Sequence, residues 1–225
     1  MYRFLLLFVY CLVCGVACSP TSSEPEATPV FADFYVRYLA DAQQLRAQAK
    51  FKTGDSLAVA QPLPFPRGVA FQGSNLQEKS LASVLRYESS RTLAYTTPLR
   101  FTFQLPEQTE QTTIEVDMVG LDTFTITQAS VQDGLRLEIN TELKDSESLV
   151  LFFTNPDGEA RTIIRQGPSR LKQLFIAPDA LVHFVPGDYR MYIVKRQLVE
   201  EQQGELSYQA IVEYYTKEVA FAIEQ

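Results

Sequence analysis

Few side chains in this chain have the type and spacing that chemistry needs. Of its 225 residues one is histidine and three are cysteine. His183 sits in Leu-Val-His-Phe-Val, apolar on both sides, which predicts a strand residue with a satisfied ring rather than a general base. A histidine-based zinc site draws two or more ligands from one locality, and a lone histidine supplies one. Carboxylates are plentiful but scattered. Glu200 and Glu201 open a polar stretch that ends at Gly204, the composition of a solvated hairpin tip. Asp157, in Asn-Pro-Asp-Gly, is a turn residue first. No Gly-x-Ser-x-Gly elbow, no calcium loop of alternating aspartates and no glycine-rich phosphate loop occurs. The expectation is a protein that is not an enzyme, with no catalytic, metal or cofactor site.

The cysteines carry more information. Residues 1–17 read MYRFLLLFVYCLVCGVA, with Arg3 followed by an unbroken apolar run of 14 residues. A positive start, an apolar stretch and small residues before a cut are the marks of a secretory signal. The run is shorter than the roughly 20 residues that span a bilayer. Gly15, Val16 and Ala17 precede Cys18, and Ser-Pro-Thr-Ser-Ser-Glu-Pro-Glu follows it. This pattern resembles the lipobox of bacterial lipoproteins, in which small residues precede a modified cysteine. Gly15 departs from it, standing where an aliphatic residue is usual. Cys14 fits less well, because bulky Val13 would occupy the cleavage position. The resemblance implies cleavage before Cys18, a diacylglyceryl group on its thiol and acylation of the freed amine. Several acyl chains, at about 0.8 kcal/mol per buried methylene, make a firm membrane anchor. The alternative is an ordinary signal peptide with incidental cysteines. Cys11 and Cys14 lie within the signal, so Cys18 is the only thiol of the mature chain. Disulfide scaffolding, a cysteine nucleophile and a thiolate metal site are thereby excluded.

Beyond residue 17 the chain has 19 basic and 27 acidic residues, a net charge of −8 with no basic run. That balance disfavours nucleic acid, which is bound through Lys and Arg on phosphates. It equally disfavours an electrostatic grip on anionic lipid. Residues 18–29 comprise the lipidated cysteine and a segment rich in Pro, Ser, Thr and Glu, which reads as a flexible tether.

The body must then be built from strands. Residues 45–51, 100–105, 113–118 and 135–143 alternate apolar and polar, the signature of a half-buried strand. Residues 149–154 and 160–165 flank Asn155-Pro-Asp-Gly158, whose order suits a type I turn in a hairpin. Residues 189–198 and 205–215 form a further pair, with a last strand at 219–223. Residues 31–49 fit either a helix face or a strand from 34 to 39, a turn at 40–44 and a second strand. We read strands there, because residues 45–52 alternate too regularly for a helix. The expected fold class is all-β, with two β-sandwich-like domains at residues 30–122 and 123–225.

One local feature refines the second domain. Val-Pro-Gly-Asp-Tyr-Arg-Met-Tyr-Ile-Val, at residues 185–194, resembles the corner that leads into a late strand of immunoglobulin-like and fibronectin type III-like domains. It departs from antibody domains in lacking the cysteine pair and any Trp. The resemblance makes Tyr189 the structural corner, buried with its hydroxyl bonded to backbone a few residues upstream. Tyr192 falls on the opposite face of that strand. Tyr192 and Tyr215 are the expected contact surface, since exposed tyrosine offers area and a hydroxyl. Alternatively that face packs against the other domain. The functional expectation is a lipid-anchored binding, scaffold or assembly module of the cell envelope, in the outer membrane facing the periplasm or the surface. Its partner would be an envelope protein or a glycan. The competing expectation is a glycan-binding or glycan-processing lipoprotein.

Overall fold

The computed structural model describes residues 28–81, 84–106, 108–121 and 123–225. The expected signal, Cys18 and all of the tether before residue 28 lie outside the described residues. Among the described residues the chain is all-β. Its strands in the first half are β1 (Val30–Leu39), β2 (Gln44–Thr53), β3 (Gln61–Pro62), β4 (Ala70–Phe71), β5 (Ser74–Asn75), β6 (Gln77–Leu81), β7 (Val84–Thr92), β8 (Leu99–Phe103) and β9 (Thr112–Val116). The second half adds β10 (Phe124–Ser130), β11 (Gly134–Leu143), β12 (Glu147–Thr154), β13 (Ala160–Gln166), β14 (Ser169–Ile176), β15 (Gly187–Gln203), β16 (Leu206–Tyr215) and β17 (Val219–Ile223).

Residues 31–49 form the strand pair β1–β2. Both faces of the helix-or-strand ambiguity contained apolar residues, and the period of two decides it. Val30, Ala32, Phe34, Val36 and Tyr38 are buried along β1 while their neighbours are not. The Asn155 turn closes as expected. Gly158 N–H donates to Asn155 C=O at 3.0 Å, and Asn155 Oδ1 accepts from Glu159 N–H at 2.8 Å. Gly158 itself has φ +82°, a conformation that glycine adopts without strain.

The strands build a ten-stranded sheet whose main order is β13-β12-β15-β16-β1-β2-β7-β6, with β17 against β15 and β3 against β2. Two smaller sheets, β5-β4-β8-β9 and β10-β11-β14, complete the molecule. The large sheet takes strands from both sides of residue 122. The join is a parallel pairing of β1 with β16 over ten residues, from Val30 opposite Leu206 to Leu39 opposite Tyr215. The two sandwich-like halves therefore share one continuous sheet.

Both small sheets cover the same face of it. Phe34 of β1 packs on Phe101 and Phe103 of β8, with ring centroids 4.7 and 5.8 Å apart. Leu135, Leu137 and Ile139 of β11 share a buried cluster with Leu149, Leu151 and Phe153 of β12. Where the halves meet, Tyr38, Tyr95 and Tyr214 form a triangle with centroids 5.0–5.2 Å apart. Gly120 lies against it. A Cβ there would come within 2.6 Å of Tyr214 Cε2, so only glycine fits. Beside the triangle, Lys195 and Glu147 form an ion pair at 3.1 Å with side chains 2% and 1% exposed. Lys195 Nζ also donates to Glu142 C=O of β11 at 3.0 Å, tying the large sheet to the small one.

His183 is placed differently from expectation. It lies exposed in a turn after a short 3-10 segment, Pro178–Leu181, and not in a strand. Phe184 N–H donates to Leu181 C=O at 2.8 Å and closes the chain there. Apolar neighbours alone signalled a strand, but Pro178 starts a tight turn that inserts Leu181 and Phe184 into the core while His183 stays outside.

Candidate functional site: the open face of the large sheet

Pairing in register carries side chains of one parity to one face of a sheet. In β12, β15, β16 and β1 one parity is buried under the small sheets. The other parity faces outward, where no sheet of the described residues covers it. There Phe152 stands opposite Tyr192 across β12 and β15. Their rings stack at 5.0 Å and 12°. Tyr192 stacks in turn on Tyr215 of β16 at 6.1 Å and 26°. The guanidinium of Arg37 in β1 lies over the Tyr215 ring, 6.0 Å from its centroid, a geometry that favours the cation electrostatically. Arg37 is opposite Arg46 of β2. The result is a strip across five strands, aromatic at one end and cationic at the other.

Tyr192 and Tyr215, the residues expected to form a contact surface, are thus brought together, both half-buried and outside the packing between sheets. The strip has an apolar bed. Val194 is buried between Val150 and Tyr215 in register, and the adjoining Ile164 of β13 is 55% exposed. Glu213 is the polar centre. Its Oε2 accepts from Tyr35 Oη at 2.7 Å and from Tyr215 Oη at 3.1 Å. Burial first, then the charge and hydrogen bond of Glu213, push the Tyr215 hydroxyl up to about 12. Burial and Glu213 push Tyr35 up as well. Both phenols are therefore neutral donors at ordinary pH, holding the carboxylate and the rings in one arrangement.

Tyr189 lies on the inner face of the same strand. It is 4% exposed, packs against Phe184 and Phe221 at 5.6 and 6.1 Å, and its hydroxyl accepts from Val185 N–H at 3.3 Å. It holds the entry to β15, and through β15 the outward position of Tyr192. Sequence reasoning missed Phe152, Arg37, Arg46, Tyr35 and Glu213. Alternation within β12 and β1 was a signal for their outward facing, but only the strand order places them beside Tyr192 and Tyr215.

Among the described residues no group of three or more His, Cys, Asp or Glu side chains is placed to hold a metal ion, and no helix is long and apolar enough to cross a membrane. No protein-family model matches the chain, and a search of curated proteins finds no match to its sequence.

Proposed function

We propose that this chain is an exported bacterial lipoprotein, anchored in the outer membrane through Cys18, that works as a non-enzymatic binding, scaffold or assembly module. The observation that carries this reading is the outward strip of Phe152, Tyr192 and Tyr215 on a ten-stranded sheet. Stacked rings held by strand pairing form a rigid surface that loses little side-chain entropy when a partner is bound. The anchor rests on the lipobox-like sequence before Cys18 and the polar segment after it. The position of the strip fits such an anchor. The tether enters at Val30, the start of β1, and Arg37 lies about 23 Å further along at 3.3 Å per residue. The strip would thus lie toward the end of β1 remote from the point of attachment. The reading of the second half as immunoglobulin-like is supported by the Tyr189 corner and its bond to Val185.

Glycan capture is the second reading, favoured by the flat rings beside polar groups that hydrogen-bond hydroxyls, Glu213 and Arg37 among them. Two measurements test the proposal. Cys18→Ala should abolish acyl labelling and partitioning into the detergent phase, and unchanged partitioning would refute the lipid anchor. Tyr192→Ala with Tyr215→Ala should leave folding and anchoring intact yet abolish the protein's contribution to the envelope. Wild-type behaviour of that variant in cells would refute the contact surface.

A further inference from the structure

The cationic end of the strip opens into a groove of about 770 Å³. It forms because β6 pairs with β7 only as far as Gln77 opposite Glu88, leaving the β7 edge from Ser89 onward without a strand of the described residues on that side. Arg37, Arg46, Lys79 and Arg91 line it against one carboxylate, Glu88. That is a local excess of positive charge on a chain whose overall charge is −7. Lys79 is paired with Glu88, and Arg91 donates to Phe71 C=O at 3.0 Å. Arg46 Nε donates to Gln44 Oε1 at 3.1 Å. Arg37 and Arg46 are direct cross-strand neighbours, an arrangement in which like charges repel, while Glu213 stands opposite Arg37 on its other side. Neither forms an ion pair with a carboxylate among the described residues. Arg37 Nε is buried and has no hydrogen-bond partner among the described residues, a condition that costs free energy until an acceptor arrives. Two adjacent guanidiniums match the oxygens of a planar or tetrahedral oxyanion. The same groove presents amides and hydroxyls from Gln48, Asn75 and Ser90. An oxyanion flanked by hydroxyls is the chemistry of an acidic sugar.

We propose that this groove binds a saccharide bearing carboxylate or sulfate groups, with Arg37 and Arg46 holding the anion and Gln48, Asn75 and Ser90 meeting the sugar hydroxyls. The proposal rests on the reading of the open face as a contact surface, and it names the ligand class for one end. The test is calorimetric titration of the detergent-solubilised full chain with oligogalacturonate, dextran sulfate, neutral dextran and poly-L-glutamate. Binding of one or both acidic saccharides is expected, weakening with added salt, with no binding of neutral dextran. The arms for carboxylate and sulfate separate the two anions. Arg37→Gln with Arg46→Gln should weaken binding at least tenfold, and Arg46→Gln alone should weaken it measurably should the double variant fold poorly. Unchanged binding by the arginine variants, or equal binding of poly-L-glutamate, would overturn the proposal. Loss of binding in Tyr192→Ala with Tyr215→Ala, alongside unchanged binding in the arginine variants, would overturn the groove while leaving the open face as contact surface.

Discussion

Removing one member of the Lys195–Glu147 pair should be among the costliest single changes in the protein. The two side chains are 2% and 1% exposed and 3.1 Å apart. Glu147 Oε2 also accepts from Lys144 N–H at 2.9 Å, while Oε1 is buried with no partner among the described residues. In Lys195→Met the carboxylate keeps its charge without its counter-ion, and Glu142 C=O loses the donor it has at 3.0 Å. Breaking a buried pair in this way costs about 3–5 kcal/mol, a large share of the roughly 5–15 kcal/mol that holds a domain folded. With a urea slope of about 3 kcal/mol/M, the midpoint should fall by about 1–1.7 M. Glu147→Leu should cost a similar amount by stranding the ammonium. The double variant removes both charges and leaves only Lys144 N–H and Glu142 C=O wanting, at about 1–3 kcal/mol each. It should therefore fall short of the summed single costs by about 4 kcal/mol. Urea unfolding of the four proteins, followed by circular dichroism, measures this. Single costs below about 1 kcal/mol, or strictly additive ones, would refute a closed junction between the halves.

Tyr189→Phe leaves Val185 N–H without the acceptor it has at 3.3 Å and should cost about 1 kcal/mol. Tyr192→Phe, on the outer face, keeps the stacked ring and should be nearly silent in the same urea unfolding. Gly120→Ala drives a Cβ to 2.6 Å from Tyr214 and 3.2 Å from Tyr95, and should lower stability by about 1–3 kcal/mol. Tyr215 keeps its proton to about 12 in the folded chain, above the value of about 10 expected when unfolded. Its contribution is therefore complete below pH 10 and is lost as pH rises through about 12. Glu213→Gln should bring its titration midpoint down, which phenolate absorbance reads directly.

Local pattern carried the strands and the turn residues, and it stopped at pairing. The alternation of β1, β2, β11 and β15 is written in which residues are apolar, so the strands and the facing of Tyr189 against Tyr192 are legible. The parallel join of β1 to β16 is not, because its partners are about 176 residues apart and either sheet edge would accept the same alternation. Hence the division at residue 122 follows the chain, whereas the large sheet crosses it. The same limit hid the strip. Arg37, Phe152 and Glu213 are ordinary outward residues of three separate strands until the strand order sets them beside Tyr192 and Tyr215. His183 shows the opposite error, in which apolar neighbours imitate a strand that Pro178 prevents.

The proposed role of the open face of the large sheet is to meet a partner. Site-specific photo-crosslinking in intact cells tests it, with the reactive residue placed at Tyr192 in one strain and at exposed Glu138 of β11 in another. The account predicts discrete adducts, to protein or glycan, from position 192, their loss on adding Tyr215→Ala, and none from position 138. Adducts from 138 alone, the same adducts from both positions, or none from either would contradict it.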